Sequence, residues 1–156
     1  MPLEAFKRVI EINLIGSFNL MRLAAADMSG LPPIEDGERG VIVSTASVAA
    51  YDGQIGQAAY SASKGGIVAL TLPAAREFAR SGIRVNCVCP GTTRTPMIES
   101  FIEAAPQMEK MMSASSPTRR MATPDEIAAA AVWLCSDDAS YVNGVALPVD
   151  AGAVAQ

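Results

Sequence analysis

The sequence contains no histidine. That absence excludes Ser-His-Asp and Cys-His catalysis and the usual histidine-ligated zinc. Any acid–base chemistry falls to tyrosine, lysine or carboxylates. Aromatics are sparse, at 5% of residues, no basic run exists, and the net charge is −4. Nucleic acid and anionic membrane are therefore poor partners. Arg119-Arg120 is only a pair, suited to a solvated face or a single anion contact. The N-terminus, MPLEAFKRVIEIN, mixes acids with bases and lacks a signal peptide's apolar stretch. No uninterrupted apolar run approaches the roughly 18 residues that span a bilayer.

Cysteine is scarce as well, with three in the chain. Cys87 and Cys89 alternate along an apparent strand and so share a face, while Cys135 falls in an expected helix. The odd count and the α/β pattern point to reduced, mostly buried thiols in a cytoplasmic protein. The C-x-C pair has no further ligand cluster around it, so no metal site is expected.

What is present is enough apolar sequence for one domain: 156 residues, 50% of them hydrophobic. Residues 3–28 carry Phe6, Val9, Ile10, Leu14, Leu20, Met21 and Ala24 at helical spacing. Asn13 lies on that apolar face, where a buried amide must find partners. SGLPPIEDGERG, 29–40, is a loop by composition. GVIVSTAS reads as a buried strand with Ser44, Thr45 and Ser47 at its polar end. Residues 57–80 read as a helix that Pro73 should kink.

A turn and strand follow over 81–91, then a Met-rich segment, 95–113, with one or two short helices. In TPDE, 123–126, Thr123 caps, Pro124 takes the first helical position and Glu126 completes a capping box. That helix runs to about Cys135, and NGVALPVDAG supplies a final strand. The alternation of helix and strand implies an α/β fold with about three parallel strands and flanking helices. Ligands of such sheets bind beyond the carboxyl ends of the strands. Ser47, Pro90, Gly91 and the start of the 57–80 helix all fall at that edge.

Tyr60 and Lys64, four apart, stack on one helical face. A cation one turn away favours phenolate over phenol and readies the hydroxyl to trade a proton with a carbonyl or alcohol oxygen. Ser47, at the end of the preceding strand, is placed to donate to the same oxygen. Alone, a Y-x-x-x-K pair is weak, since most are surface contacts. It gains weight from the strand-end serine, the buried Asn13 and the Pro-Gly turn after the next strand.

With these features in view, the chain resembles the short-chain dehydrogenase/reductase family. The resemblance rests on INLIGSFNL (12–20), GVIVSTASVAA (40–50), YSASKGG (60–66), GIRVNCVCPGTTRTPM (82–97), PDEIAAAAVWLCSDDASYVNG (124–144) and LPVDAG (147–152), in order and spacing. It implies the C-terminal portion of a Rossmann-like doubly wound sheet, and NAD or NADP as cofactor. Tyr60 would be the general acid/base. Lys64 would tune it and hold the nicotinamide ribose. Ser47, with Ser44 as its nearby competitor, would position the substrate carbonyl. Asn13 would hold a relay water.

Pro90, Gly91, Thr93 and Thr95 would meet the nicotinamide, with Thr95 on its carboxamide. Read without the family, they are a strand-ending turn and a helix cap. Asn86 matches a family position more structural than catalytic. The Met-rich segment 97–113 matches a substrate lid.

GVIVSTASVAAYDGQIGQAAYSASKGGIVALTLPAARE is similar to the type 2 3-hydroxyacyl-CoA dehydrogenases, a match that adds Gln54 as a substrate contact. From TRTPM onward the text is more like bacterial reductases, including 3-oxoacyl-carrier-protein reductases. The expected substrate is a small alcohol or ketone or an acyl thioester, and the expected assembly a dimer or tetramer. The family's Gly-rich pyrophosphate turn does not occur in this sequence. One partial domain over 1–156 is therefore expected, with weakened cofactor binding and an open edge on the strand near 41–46. A non-catalytic oligomerisation module is the competing expectation.

Overall fold

The computed structural model describes residues 1–34 and 36–155. Three parallel strands lie side by side in chain order: β1 (Gly40–Thr45), β2 (Ile83–Pro90) and β3 (Ala146–Val149). Gly40 pairs with Ile83 and Thr45 with Val88, while Cys87 pairs with Ala146 and Pro90 with Val149. The helices are α1 (Leu3–Ile10), α2 (Gly16–Ser29), α3 (Ala58–Phe78), α4 (Pro96–Ala104), α5 (Gln107–Ala114) and α6 (Pro124–Cys135). This is the three-stranded parallel α/β arrangement expected from the pattern.

β2 is the central strand, and its residues from Ile83 to Cys89 are all buried. Side chains alternate across a strand, and here the two faces differ in chemistry. Ile83 and Val85 pack with Met21, Ala25, Ala74 and Ala75 of α2 and α3. Cys87 and Cys89 continue that face with Ala46 and Ile67. The opposite face carries Arg84 and Asn86, both buried. Arg84 Nε donates to Glu38 at 2.5 Å, and its Nη1 to the Leu134 carbonyl at 2.8 Å. Asn86 Nδ2 donates to the Val142 carbonyl at 2.9 Å, and its Oδ1 accepts from Val145 N–H at 3.0 Å. Both side chains thus tie the final third of the chain to the central strand.

α1 and α2 form one continuous helix through a π-helical segment, Glu11–Ile15, in which Gly16 N–H reaches back to the Glu11 carbonyl. The wider turn has no signature in apolar spacing, so only a plain helix was expected. Many apolar side chains of this helix are exposed, among them Leu3, Ile12, Ile15, Phe18 and Leu20. Contrary to expectation, the helix Leu3–Ser29 is long and apolar enough to cross a membrane, with mean hydropathy 1.3 over its most apolar window. Between Ile12 and Ser29 only Arg22 and Asp27 are charged. The acids and bases nearer the start had masked that window. Core helices of globular folds pass the same test.

α3 continues through Pro73 to Phe78. The expected capping box is present on α6, where Thr123 accepts from Glu126 N–H and Glu126 from Thr123 N–H. Among the described residues the cysteines are free, and Cys87 and Cys89 are buried. The expectation of mostly buried thiols holds for Cys87 and Cys89, while Cys135 is exposed on α6, which buries only Leu134.

Candidate active site

The carboxyl end of β1 sets the site. After Thr45, Ala46 N–H still bonds to the Val88 carbonyl, which holds the chain on the sheet for one more residue. Ser47 then turns outward with extended backbone and caps a short 3₁₀ turn, Val48–Ala50, accepting from Ala49 N–H at 3.1 Å. α3 packs directly against this turn. A Cβ on Gly65 would sit 3.9 Å from the Ala50 carbonyl, and one on Gly53 would meet Ser61 Oγ at 2.7 Å. Gly53 and Ser61 therefore mark a close approach between α3 and the segment that follows Ser47.

Tyr60 and Lys64 occupy the first turns of α3. The Lys64 ammonium stands 5.7 Å from the centre of the Tyr60 ring, on its face. Lys64 Nζ also donates to the Thr45 carbonyl at 2.8 Å, which fixes the ammonium between α3 and the end of β1. Burial pulls the Lys64 ammonium below its ordinary value, opposed by the Cys89 thiol nearby. Tyr60 is partly open to solvent, 38% exposed.

Asn13 reaches the same helix from the π-helical segment. Its Nδ2 donates to Ser63 Oγ at 3.1 Å, and that hydroxyl donates to the Tyr60 carbonyl at 2.7 Å. The carbonyl of Asn13 accepts from Ser17 Oγ at 2.6 Å. The amide was expected to need a partner, and it finds one in Ser63, a fully buried residue that sequence reasoning passed over. Only its place one residue before Lys64 hinted at it. Gly66 belongs to the same contact, since a Cβ there would lie 2.6 Å from Leu14.

Pro90 closes β2, and Gly91 N–H bonds to the Val149 carbonyl at 3.0 Å. A Cβ on Gly91 would stand 2.9 Å from the Asp150 backbone, so the turn requires glycine. Thr93 Oγ1 donates to the Gly91 carbonyl, and Thr95 caps α4 by accepting from Ile98 N–H at 3.4 Å. The strand-ending turn and helix cap are thus both present. Ser44 lies within β1, opposite Cys87. Gln54 is exposed and lines a cavity of about 280 Å³ with Val48, Gly91, Thr92, Ser116 and Asp150.

Beneath the site lies a feature with no sequence signal. The Tyr51 hydroxyl approaches Cys89 Sγ at 3.9 Å. Burial, with Cys89 beside it, pushes the Tyr51 phenol up to about 12. The hydrogen bond shared with Cys87, together with burial, holds the Cys89 thiol well above its ordinary value. The same hydrogen bond holds the Cys87 thiol down, to about 7, and burial in the face that meets Ile67 keeps both thiols as packing.

The site therefore assembles a phenol, an ammonium and a strand-end hydroxyl segment at the carboxyl edge of a parallel sheet. Lys64, with donor valences beyond Thr45, and the Gly91–Thr95 turn suit a ribose and a carboxamide. Residues 1–154 match the family model described as enoyl-(acyl carrier protein) reductase. The 3-hydroxyacyl-CoA dehydrogenase type-2 of Bos taurus is 44% identical over 149 residues, 95% of this chain and 55% of that protein. The crystal structure of 3-hydroxyacyl-CoA dehydrogenase type-2 from Mycobacterium avium superposes with a TM-score of 0.88 at 41% identity, over 97% of this chain and 57% of that one. ElxO with NADP bound superposes with a TM-score of 0.90 at 26% identity, over 100% of this chain and 60% of that one. The chain spans a little over half the length of these relatives.

Proposed function

Since the chain belongs to the short-chain dehydrogenase/reductase family, we propose that it forms the catalytic part of a cytoplasmic NAD(P)-dependent oxidoreductase that interconverts a secondary alcohol and a ketone. The observation that carries the reading is the Lys64 ammonium on the face of the Tyr60 ring, anchored to the end of β1. The nicotinamide, when bound, would take or supply the hydride. In alcohol oxidation Tyr60 accepts the hydroxyl proton as the carbinol carbon loses its hydride, and in reduction Tyr60 returns it.

Lys64, on the face of the Tyr60 ring, would hold the ribose hydroxyls of the nicotinamide. Ser47 hydrogen-bonds the reacting oxygen. Asn13 braces the helix through Ser63 and, with Lys64, serves proton exchange with solvent. Pro90, Gly91, Thr93 and Thr95 would hold the nicotinamide end, with Thr95 bonding its carboxamide. Gln54 contacts substrate from the cavity wall. The similarity to 3-hydroxyacyl-CoA dehydrogenases supports a 3-hydroxyacyl thioester as substrate.

The test is nicotinamide absorbance during oxidation of a 3-hydroxyacyl-CoA. Tyr60→Phe keeps the ring beneath Lys64 and removes only the hydroxyl. Turnover should fall about 10²- to 10⁴-fold, and undiminished turnover would refute the assignment. A second reading, an oligomerisation module without turnover, draws on the exposed Ile12, Ile15, Phe18 and Leu20. Mass in solution, measured beside turnover, separates the two.

A further inference from the structure

The excursion between β2 and α6 leaves and returns at one point. Thr93 and Ala122 form a parallel bridge, with Arg94 N–H bonded to the Ala122 carbonyl and Ala122 N–H to the Thr92 carbonyl, each at 2.9 Å. Everything from 95 to 121, including α4 and α5, hangs from this hinge as a cover. Its return limb supplies Ser115, Ser116 and Thr118 to the wall of the cavity that Gln54 and Gly91 also line. A single side chain spans the cover from the hinge. Arg94 Nη1 donates to Glu99 of α4 at 2.9 Å, and Nη2 donates to Glu109 of α5. The Thr92 and Ser115 hydroxyls meet at 3.1 Å on the same side.

We propose that Arg94 is a positioning residue: by holding Glu99 and Glu109 at once, it fixes the cover 95–121 as one wall of the cavity that Gln54 and Gly91 line, which on the oxidoreductase reading receives the part of the substrate remote from Tyr60. The planar guanidinium presents two donor edges in a fixed fork, so one cation aligns two helices that otherwise make few ties to the body. α5 buries no side chain completely, and α4 buries only Ile102. Besides Ile102, the apolar anchor of the cover is Met121 beside the hinge, so α4 and α5 themselves are held weakly by apolar packing. Because Arg94 sits between Thr93 and Thr95, a shift of that turn toward a bound ligand is transmitted to both helices. The triad is exposed, so salt weakens it.

Two measurements test this. Amide hydrogen exchange needs no catalysis: Arg94→Gln should speed exchange across 96–114 about tenfold, the size expected for losing two exposed ion pairs. Exchange in β2 and α3 should stay as it was. Salt at about 1 M, where the Debye length is about 3 Å, should have the same effect on the parent protein and little on the variant. Arg94→Lys, which keeps the charge but not the fork, should restore part of the protection.

The kinetic arm rests on the oxidoreductase reading: Arg94→Gln should raise KM for the alcohol several-fold with kcat nearly kept. Unchanged exchange over 96–114, or equal loosening of β2 and α3, overturns the proposal. So does a loss confined to kcat. Loosening of the cover in a protein that never turns over, parent included, supports the clamp and removes the oxidoreductase reading instead.

Discussion

Asn86 offers the sharpest test of how the site is held. Its side chain makes two bonds across the buried face of β2, to the Val142 carbonyl at 2.9 Å and from Val145 N–H at 3.0 Å. Asn86→Ala removes both, worth about 1 kcal/mol each in net terms. It also strands the polar groups. Val142 keeps a long contact from Arg84 at 3.5 Å, but the Val145 N–H loses the partner that Asn86 supplies. Leaving that part-buried amide unpaired raises the cost of the second bond to about 1–3 kcal/mol.

The total is about 2–4 kcal/mol, a large share of the roughly 5–15 kcal/mol that holds a typical domain. Urea unfolding followed by Trp133 fluorescence reads it directly, since the sequence has one tryptophan. β3 should loosen first, because both bonds lie at its entry. Val145 and Ala146 amides should lose exchange protection before those of β1. A destabilisation below about 1 kcal/mol would refute the reasoning, since it would mean that these bonds are replaced at no cost.

Two further expectations concern charge and thiols. The Arg120 side chain, then the Thr123 N–H, hold the Glu126 carboxyl well down, from the usual 4.5 to about 2. Its folded value is depressed, so the carboxylate's contribution to the α6 cap is complete above about pH 4.5 and is lost as pH falls through about 2. Glu126→Gln should flatten the fall of melting temperature with acid in that window, and parallel curves for the two proteins would reject the linkage. For the thiols, Cys135 alone should react rapidly with a disulfide reagent in native protein, and Cys87 and Cys89 only after denaturation. A second fast thiol would contradict the burial of β2.

Much of the fold was legible because local signals agreed with the global one. The alternation of helix and strand, the capping box on α6 and the Pro-Gly stop after β2 each rest on near neighbours in the chain. Tyr60 and Lys64 could be paired from spacing alone because the helix puts residues four apart on one face. Three features escaped. The π-helical segment around Asn13 depends on one extra residue in a turn, which apolar periodicity does not record. Ser63 is a small polar residue in a run of small residues, and its role exists only once Asn13 approaches from another helix. The Arg94 clamp joins residues of three separate segments, and nothing local marks Glu99 or Glu109 as its partners.

By itself the sequence settled which chemistry was open to this protein: without histidine, a phenol one helical turn from an ammonium was its best proton-transfer pair. Tertiary packing settled where that pair sits. Lys64 has its position because the Thr45 carbonyl, nineteen residues earlier, ends a strand beside it, and the cavity has its wall because the cover closes on its own starting point. Distances of that kind come from the parallel sheet bringing remote strand ends to one edge, and no local pattern of residues encodes them.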